Sequence, residues 1–424
     1  MKFNDIDTCI SFIESQRRKE GSTKNLNDMR RLCEYFGNPQ DTCKFIHVAG
    51  TNGKGSIVSY ITSILMDANL KVGSYTSPYI EKYNERIEIN RINISDEKLI
   101  EYTNYIVSKY DDLEEKGIVL PSFFALTTLI AFMYFKDENV DVAVVETGIG
   151  GLLDDTNVIT PLVSLISNVN YDHVNVLGNT IKEIAINKLG VVKNNIPFVT
   201  IENEEINELV IKTCNEHNSD YKIVLKEDIK IKKLDLTQTV FDYNEFENIK
   251  LKMLGSYQAE NACVAIETVK FLRKHGFNID DDNIINGLNN AFWLGRLEVV
   301  SEKPLIILDG AHNVDAFNRL VEFIKCIKQN KKVRLILAIS ANKDKEKMLE
   351  MLDDKLIDEL ILTSFAYKRS DEAINLFNIT KHSNKHLIES NDEIIDIINK
   401  DDLNTINIFS GSLYFVSELR KIFK

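Results

Sequence analysis

The chain is short of the residues that interrupt structure. Its 424 residues include only 6 prolines, 18 glycines and a single tryptophan, and so few breakers exclude long disordered or low-complexity stretches. Six cysteines, Cys9, Cys33, Cys43, Cys214, Cys263 and Cys326, form no C-x-x-C pair and no zinc-like spacing. That excludes a disulfide framework and points to free thiols in a reducing compartment. Positive charge is also in deficit, with 51 Lys and Arg against 64 Asp and Glu, a net charge of -13. Such a balance argues against nucleic acid as a partner, although a small basic pocket remains open. Long apolar runs are missing too. The longest, from Phe123 to Phe135, contains Thr127 and Thr128, falls short of the ~20 residues that cross a bilayer, and reads as a buried helix. The opening "MKFNDIDTCISFIESQRRKE" alternates polar and apolar residues, so neither signal peptide nor anchor is expected, and the cytoplasm is the expected location.

What is present is an α/β pattern long enough for two or three domains. "KFIHVAG" is a β-rich run ending in a glycine loop, and after it Ile57, Tyr60, Ile61, Ile64, Leu65 and Ala68 recur at helical spacing. "LKVGSYTS", "VDVAVVETG" and "PLVSLISN" repeat the strand pattern and predict a buried, mainly parallel sheet. In such sheets ligands sit beyond the carboxyl ends of the strands, which gives weight to residues 50–56, 76–78, 146–151 and 168–173. Residues 222–254 read as antiparallel hairpins on the edge of the first domain, followed by a helix from about Gln258 to Lys274. The strand-loop-helix rhythm restarts at "LIILDG", "VRLILAIS", "DELILTS" and "TINIFSGS", so domains of residues 1–297 and 298–424 are expected.

"HVAGTNGKGSIVSYI" lies between strand and helix, which suits phosphate binding. Its glycines let backbone N–H groups approach oxygens, the helix offers its positive end, Lys54 supplies a point charge and Ser56 can reach magnesium. Only two residues separate Gly50 from Gly53, unlike the common P-loop with four before its Gly-Lys pair; the plain alternative is a glycine-rich turn with a surface lysine. Glu146 follows a strand of valines, where a carboxylate is costly unless paired or metal-bound, and is a metal candidate or a turn cap. Asp172 and His173 end the next strand. A histidine beside Glu146 suits magnesium or manganese, whereas a lone histidine is more often a hydrogen-bonded loop residue. Asp309 and His312 in "LIILDGAHN", and Arg296 in "WLGRLEVV", could meet a nucleotide or a second substrate, or could be turn and surface residues.

The ordered set "VAGTNGKGS", "YTSPY", "NERIEIN", "VDVAVVETGIGGLLDDTN", "DHVNVLG", "EIAINKLGVVK", "GSYQAENA", "GRLEVV", "LDGAHN" and "SGSLYFVSE" resembles the folylpolyglutamate synthase/dihydrofolate synthase family of the Mur ligase superfamily, from about residue 10 to 420. The resemblance implies an N-terminal P-loop-type ATPase domain, whose parallel sheet has a small antiparallel edge, and a smaller Rossmann-like C-terminal domain. It further implies ATP-dependent ligation of L-glutamate to a folate-type carboxylate, dihydropteroate or a reduced folylpolyglutamate, through an acyl phosphate. By the same resemblance Gly50, Thr51, Asn52, Gly53, Lys54, Gly55 and Ser56 would wrap ATP, with Asn261, Arg296 and Asp309 completing its site. Magnesium would rest on Ser56, Ser77, Glu146, His173 and a carbamylated Lys188. Phe124 and Asp154 would contact folate, and His312 and Ser412 glutamate or phosphate. Lys54, Glu146, His173, Lys188 and His312 would carry the catalysis, in a monomer.

Four positions depart from the family pattern. Tyr79 stands in place of histidine, Ala125 of glutamate, Leu152 of arginine and Tyr257 of histidine, and most lie on the expected folate side. A related amide ligase acting on another acid is therefore the alternative. A peptidoglycan-precursor ligase would carry a UDP-binding domain before the glycine loop, where only 49 residues precede Gly50. A nucleotide-binding protein without turnover would have lost the residues at Lys54, Ser56, Glu146, His173 or Lys188, and all five are present.

Overall fold

The computed structural model describes residues 2–18, 25–367, 369–400 and 404–423. Internal contacts divide the chain into two compact units, Met1–Asp228 with Asn261–Asn290, and Ile229–Glu260 with Ala291–Lys424.

In the first unit eight strands form one sheet: β1 (Phe45–Ala49), β2 (Val72–Tyr75), β3 (Ile87–Ile89), β4 (Ile92–Asn93), β5 (Val142–Glu146), β6 (Val163–Ile166), β7 (Phe198–Ile201) and β8 (Tyr221–Val224), in the order β4-β3-β2-β5-β1-β6-β7-β8. Strands β2, β5, β1, β6, β7 and β8 run parallel. Strands β1 and β5 are buried at every position, which is why they read as continuous apolar runs and not as alternations. The helix Phe123–Asp137 contains the apolar run expected to be buried and is apolar nearly all round, as an element with no wet face must be. It packs Phe132 edge-on against Phe45 of β1, ring centroids 5.4 Å apart.

The antiparallel edge of this sheet is present, but β3 and β4 make it. Asn90 (φ 49°) and Arg91 (φ 62°) supply the two left-handed residues that a tight hairpin turn requires. Residues 222–254 do not form that edge. Strand β8 joins the sheet in parallel, whereas β9 (Ile229–Leu234), β10 (Thr239–Tyr243) and β11 (Phe246–Leu251) make a separate three-stranded antiparallel sheet. Leu234 and Leu236 pack against the core that contains Leu254, Leu297 and Leu305, and this apolar contact groups the small sheet with the C-terminal unit. The expected division at 297/298 had assigned it to the first domain.

The second unit is built on β12 (Glu298–Glu302), β13 (Leu305–Leu308), β14 (Lys332–Leu337), β15 (Glu359–Leu362), β16 (Lys385–Leu387) and β17 (Thr405–Ser410), in the order β12-β13-β17-β14-β15-β16. Only β12 is antiparallel. Its two faces follow the period of two: Leu305, Ile307, Val333, Leu335 and Leu337 enter one core cluster, and Ile306, Leu308, Ile336 and Ala338 the other. No helix among the described residues is long and apolar enough to cross a membrane.

In the first unit the helix Asp281–Asn290 lies against the helix Lys54–Asp67 that follows the glycine loop. A Cβ on Gly287 would come within 2.6 Å of the Ile64 backbone nitrogen. Because backbone meets backbone, no side chain can yield. Gly287→Ala is expected to destabilise the first unit by about 1–3 kcal/mol, measured as a fall in the thermal or urea midpoint.

Candidate active site

The loop after β1 needs its glycines for two separate reasons. Gly50 has φ 148° and Gly53 φ 83°, both in the region that side chains disfavour. There is no space either: a Cβ on Gly50 would overlap the Ser167 hydroxyl, and one on Gly53 would sit 2.5 Å from Asn261 Oδ1. Residues after β6 hold the loop in shape. Thr51 N donates to Asn168 O (3.0 Å) and Asn52 N to Asn168 Oδ1 (2.8 Å), while the Ser167 hydroxyl donates to Asn52 O (2.5 Å). The Thr51 hydroxyl donates to Asn170 O (3.1 Å) and accepts from Asn170 N (3.0 Å). Asn168 lies in "SNVNYDH", marked in the sequence as a strand end, but its role as the clamp depends on β1 and β6 being neighbours.

The helix Lys54–Asp67 begins at Gly53 with no side-chain cap, so its first N–H groups and the positive end of its dipole are offered to an anion. Lys54 Nζ donates to the carbonyls of Gly50 and Thr51, each at 3.2 Å, and lies 3.7 Å from Glu146 Oε1. Glu146 is buried, and its Oε2 accepts from Ser77 N at 3.3 Å. Lys188 Nζ donates to the same Gly50 carbonyl at 2.7 Å. Burial, and secondarily the charge on Lys54, lowers the Lys188 pKa to about 7. The structure thus brings together residues 50–56, Ser77, Glu146, Lys188 and Asn261. His173 differs from them in being exposed. It takes a left-handed conformation (φ 50°) at the start of the short helix Val174–Leu177, with Nε2 4.0 Å from Asp172 Oδ2. Among the described residues no three His, Cys, Asp or Glu side chains converge as a metal cage.

On the expected folate side, Phe124 lies beneath Gly148, where a Cβ would meet its ring at 2.6 Å. Asp154 was expected to hydrogen-bond a ligand directly. Its buried carboxylate instead accepts four protein donors: Thr156 N (3.1 Å) and the Thr156 hydroxyl (2.6 Å) on Oδ1, Gly148 N and Ile149 N (both 3.0 Å) on Oδ2. Four bonds use the usual capacity of a carboxylate, so Asp154 organises its loop. Ala125 lines a cavity of about 20 Å3 with Arg18, Asp28, Met29, Ser122 and Asp155. Leu152 is exposed, and the Tyr79 hydroxyl donates to Glu14 Oε1 at 3.1 Å.

In the second unit Asp309 and His312 follow β13, and Ser412 follows β17. Asp309 is buried and accepts from Leu297 N and Ala311 N, each at 3.0 Å. Burial raises its pKa, while Arg296 and these two N–H groups act against that rise. Leu297 sits at φ 47°, an uncommon conformation for a branched side chain, which this bond to Asp309 helps to hold. His312 Nδ1 lies 2.8 Å from Gly310 O; a carbonyl only accepts, so Nδ1 carries the hydrogen. Ser412 is buried and caps the helix Leu413–Arg420 by accepting from Tyr414 N at 3.2 Å. The hydroxyl of Tyr257, one of the departures, has its pKa raised by burial and then by the charge of Asp309.

The lowered pKa of Lys188 has a consequence for stability. Between about 7 and the ordinary lysine value of 10.5 the unfolded chain binds a proton that the folded chain has released, so stability rises with pH across that window and is lowest below it. Measured in EDTA, the thermal midpoint of the wild type relative to Lys188→Met is expected to climb from pH 7 to pH 9. A flat difference would mean that Lys188 is not shifted.

The Mur ligase middle domain model matches residues 48–269, and the Mur ligase, glutamate ligase domain model matches residues 295–413. Dihydrofolate synthase/folylpolyglutamate synthase of Bacillus subtilis is 35% identical over 417 residues, covering 96% of this chain and 97% of that one. A crystal structure of folylpolyglutamate synthase from Thermotoga maritima superposes with a TM-score of 0.86 at 31% identity, over 99% of this chain and 96% of that one. A structure described as an FPGS-AMPPCP-folate complex superposes with a TM-score of 0.82 at 29% identity, over 99% of both chains. Two domain models in the expected order and a relative alike along nearly its whole length establish that the chain belongs to the folylpolyglutamate synthase/dihydrofolate synthase family of the Mur ligases.

Proposed function

We infer that this protein is an ATP-dependent ligase that joins L-glutamate to a folate-type carboxylate, giving ADP and phosphate. The observation that carries the reading is the convergence of Lys54, Glu146 and Lys188 on one glycine loop, in a chain whose named relatives are folylpolyglutamate and dihydrofolate synthases. A carboxylate oxygen is a poor leaving group. Its phosphorylation by ATP forms an acyl phosphate, which the glutamate amine attacks through a tetrahedral intermediate before phosphate departs.

The protein's part is positioning and charge. Loop N–H groups and the uncapped helix end hold the phosphates, and Lys54 offsets the negative charge that spreads over the transferring phosphoryl oxygens. A magnesium ion, if held here, would supply positive charge that offsets the same oxygens. Glu146 fits such an ion, since magnesium takes one or two carboxylates and keeps waters and phosphates for the rest; the Ser56 hydroxyl, Ser77 and His173 are the further ligands proposed. Lys188 is proposed to be carbamylated, and a pKa near 7 supports this by supplying free amine at neutral pH. The neutral nitrogen attacks carbon dioxide, an N–C bond forms and a proton leaves to solvent, so that a cation becomes a carboxylate-like ligand. Asn261, Arg296 and Asp309 are assigned to the nucleotide, Phe124 to the ring of the acid, and His312 and Ser412 to glutamate or phosphate. We place this activity in the cytoplasm, where the six free thiols stay reduced, and propose a monomer.

Phosphate release tests the reading, using purified protein, ATP, magnesium and glutamate with dihydropteroate or a reduced folate added in turn. Release with at least one is expected. Silence with both, and release with a different acid, would overturn the folate assignment. Lys54→Ala should lower kcat by roughly 10²–10³-fold or more while the unfolding free energy changes by no more than about 1 kcal/mol. Full turnover by that variant would mean that the loop does not bind the transferred phosphate.

A further inference from the structure

Strand β1 carries a histidine, His47, between Ile46 and Val48, and all three side chains are fully buried. A central strand packs well with aliphatic residues alone, and a buried imidazole brings polar atoms that need partners. His47 Nε2 lies 2.8 Å from Thr156 Oγ1. The Thr156 hydroxyl has one proton, which it gives to Asp154 Oδ1, so toward His47 it accepts and Nε2 must be the donor. Nδ1 then finds no hydrogen-bond partner among the described residues. Burial, and after it the charge of Lys193, lowers the imidazole pKa to about 3, which keeps the ring neutral.

The chain of bonds ends in a loop. One Asp154 oxygen holds Thr156 by its hydroxyl and its N–H, and the other holds the N–H groups of Gly148 and Ile149. A single carboxylate therefore pins both ends of residues 148–156, with His47 as its fixed base in the sheet. This segment starts two residues after Glu146, rests on the Phe124 ring and displays Ile149, Leu152 and Leu153, each 41–46% exposed. Those side chains offer an apolar surface to a planar acid.

We propose that His47 is a positioning residue for the acid substrate, fixing the loop 148–156 through Thr156 and Asp154, whereas the phosphate loop at the end of the same strand is held separately by residues 167–170. This rests on the acid-ligase reading above. Loss of the imidazole weakens binding of the acid and leaves the nucleotide steps alone.

Steady-state kinetics and amide exchange on the full chain test this. His47→Leu is expected to raise KM for the acid by about 10-fold, with kcat and KM for ATP within about 2-fold. His47→Gln, which can donate an N–H to the same hydroxyl, should recover most of that loss. Thr156→Val should reproduce the effect of His47→Leu, and the double variant should be no worse than either single one. Exchange at Gly148 and Ile149 should quicken by about 10-fold in His47→Leu while β1, β5 and β6 keep their protection. The exchange result needs no substrate, so it separates this proposal from the choice of acid; a wrong acid would appear as an inert wild type. Unchanged exchange at residues 148 and 149, a general loss of protection across the sheet, or an equal rise in both KM values would overturn the proposal. If His47→Leu does not fold, Thr156→Val carries both measurements, and wild-type behaviour there overturns the proposal equally.

Discussion

Lys54 and Lys188 both donate to the carbonyl oxygen of Gly50, and the buried carboxylate of Glu146 lies 3.7 Å from the first of them. Two cations around one carbonyl repel each other in a buried setting, and the Lys188 pKa is lowered by burial first and by the charge of Lys54 second. The arrangement relaxes when Lys188 loses its proton or when phosphate oxygens arrive to share the charge. The glycines, the clamp from residues 167–170 and the uncapped helix all serve to hold this cluster before ATP binds, and preorganised charge of this kind needs no rearrangement during transfer.

The cluster exists because β1, β5 and β6 are parallel neighbours whose carboxyl ends open at one level. Each contributes residues at or just past its carboxyl end: the glycine loop, Glu146, and the Ser167, Asn168 and Asn170 clamp. The second unit repeats the logic on its own sheet, where β13 and β17 deliver Asp309, His312 and Ser412. In both units ordinary close packing of aliphatic strands decides where the polar chemistry can stand. His47 is one of the polar residues buried within the packed strands, and its bond to Thr156 leads on through Asp154 to the loop 148–156.

Much of the fold was legible. Buried parallel strands announce themselves as unbroken apolar runs, and β1, β2, β5, β6, β13, β14, β15 and β17 all fall where such runs stand. Short or weakly patterned strands did not. β3 and β4 have three and two residues, too few to show a period against the background of loops. The hairpins of β9, β10 and β11 were legible as antiparallel strands, but the unit to which they belong depends on which core takes Leu234 and Leu236, and no local pattern carries that information.

The site divides in the same way. The sequence by itself determined the glycine loop, the acidic end of β5 and the lysine in "INKLG" as candidates, because residue type and order alone mark them. Tertiary structure alone decided what each group touches: that Lys188 shares a carbonyl with Lys54, that Asn168 clamps the loop, that Asp154 is filled by donors of its own loop and that His47 stands behind it. Those contacts join residues more than 100 positions apart, or fold a loop back on itself. They arise from strand order and burial, which a linear pattern does not encode.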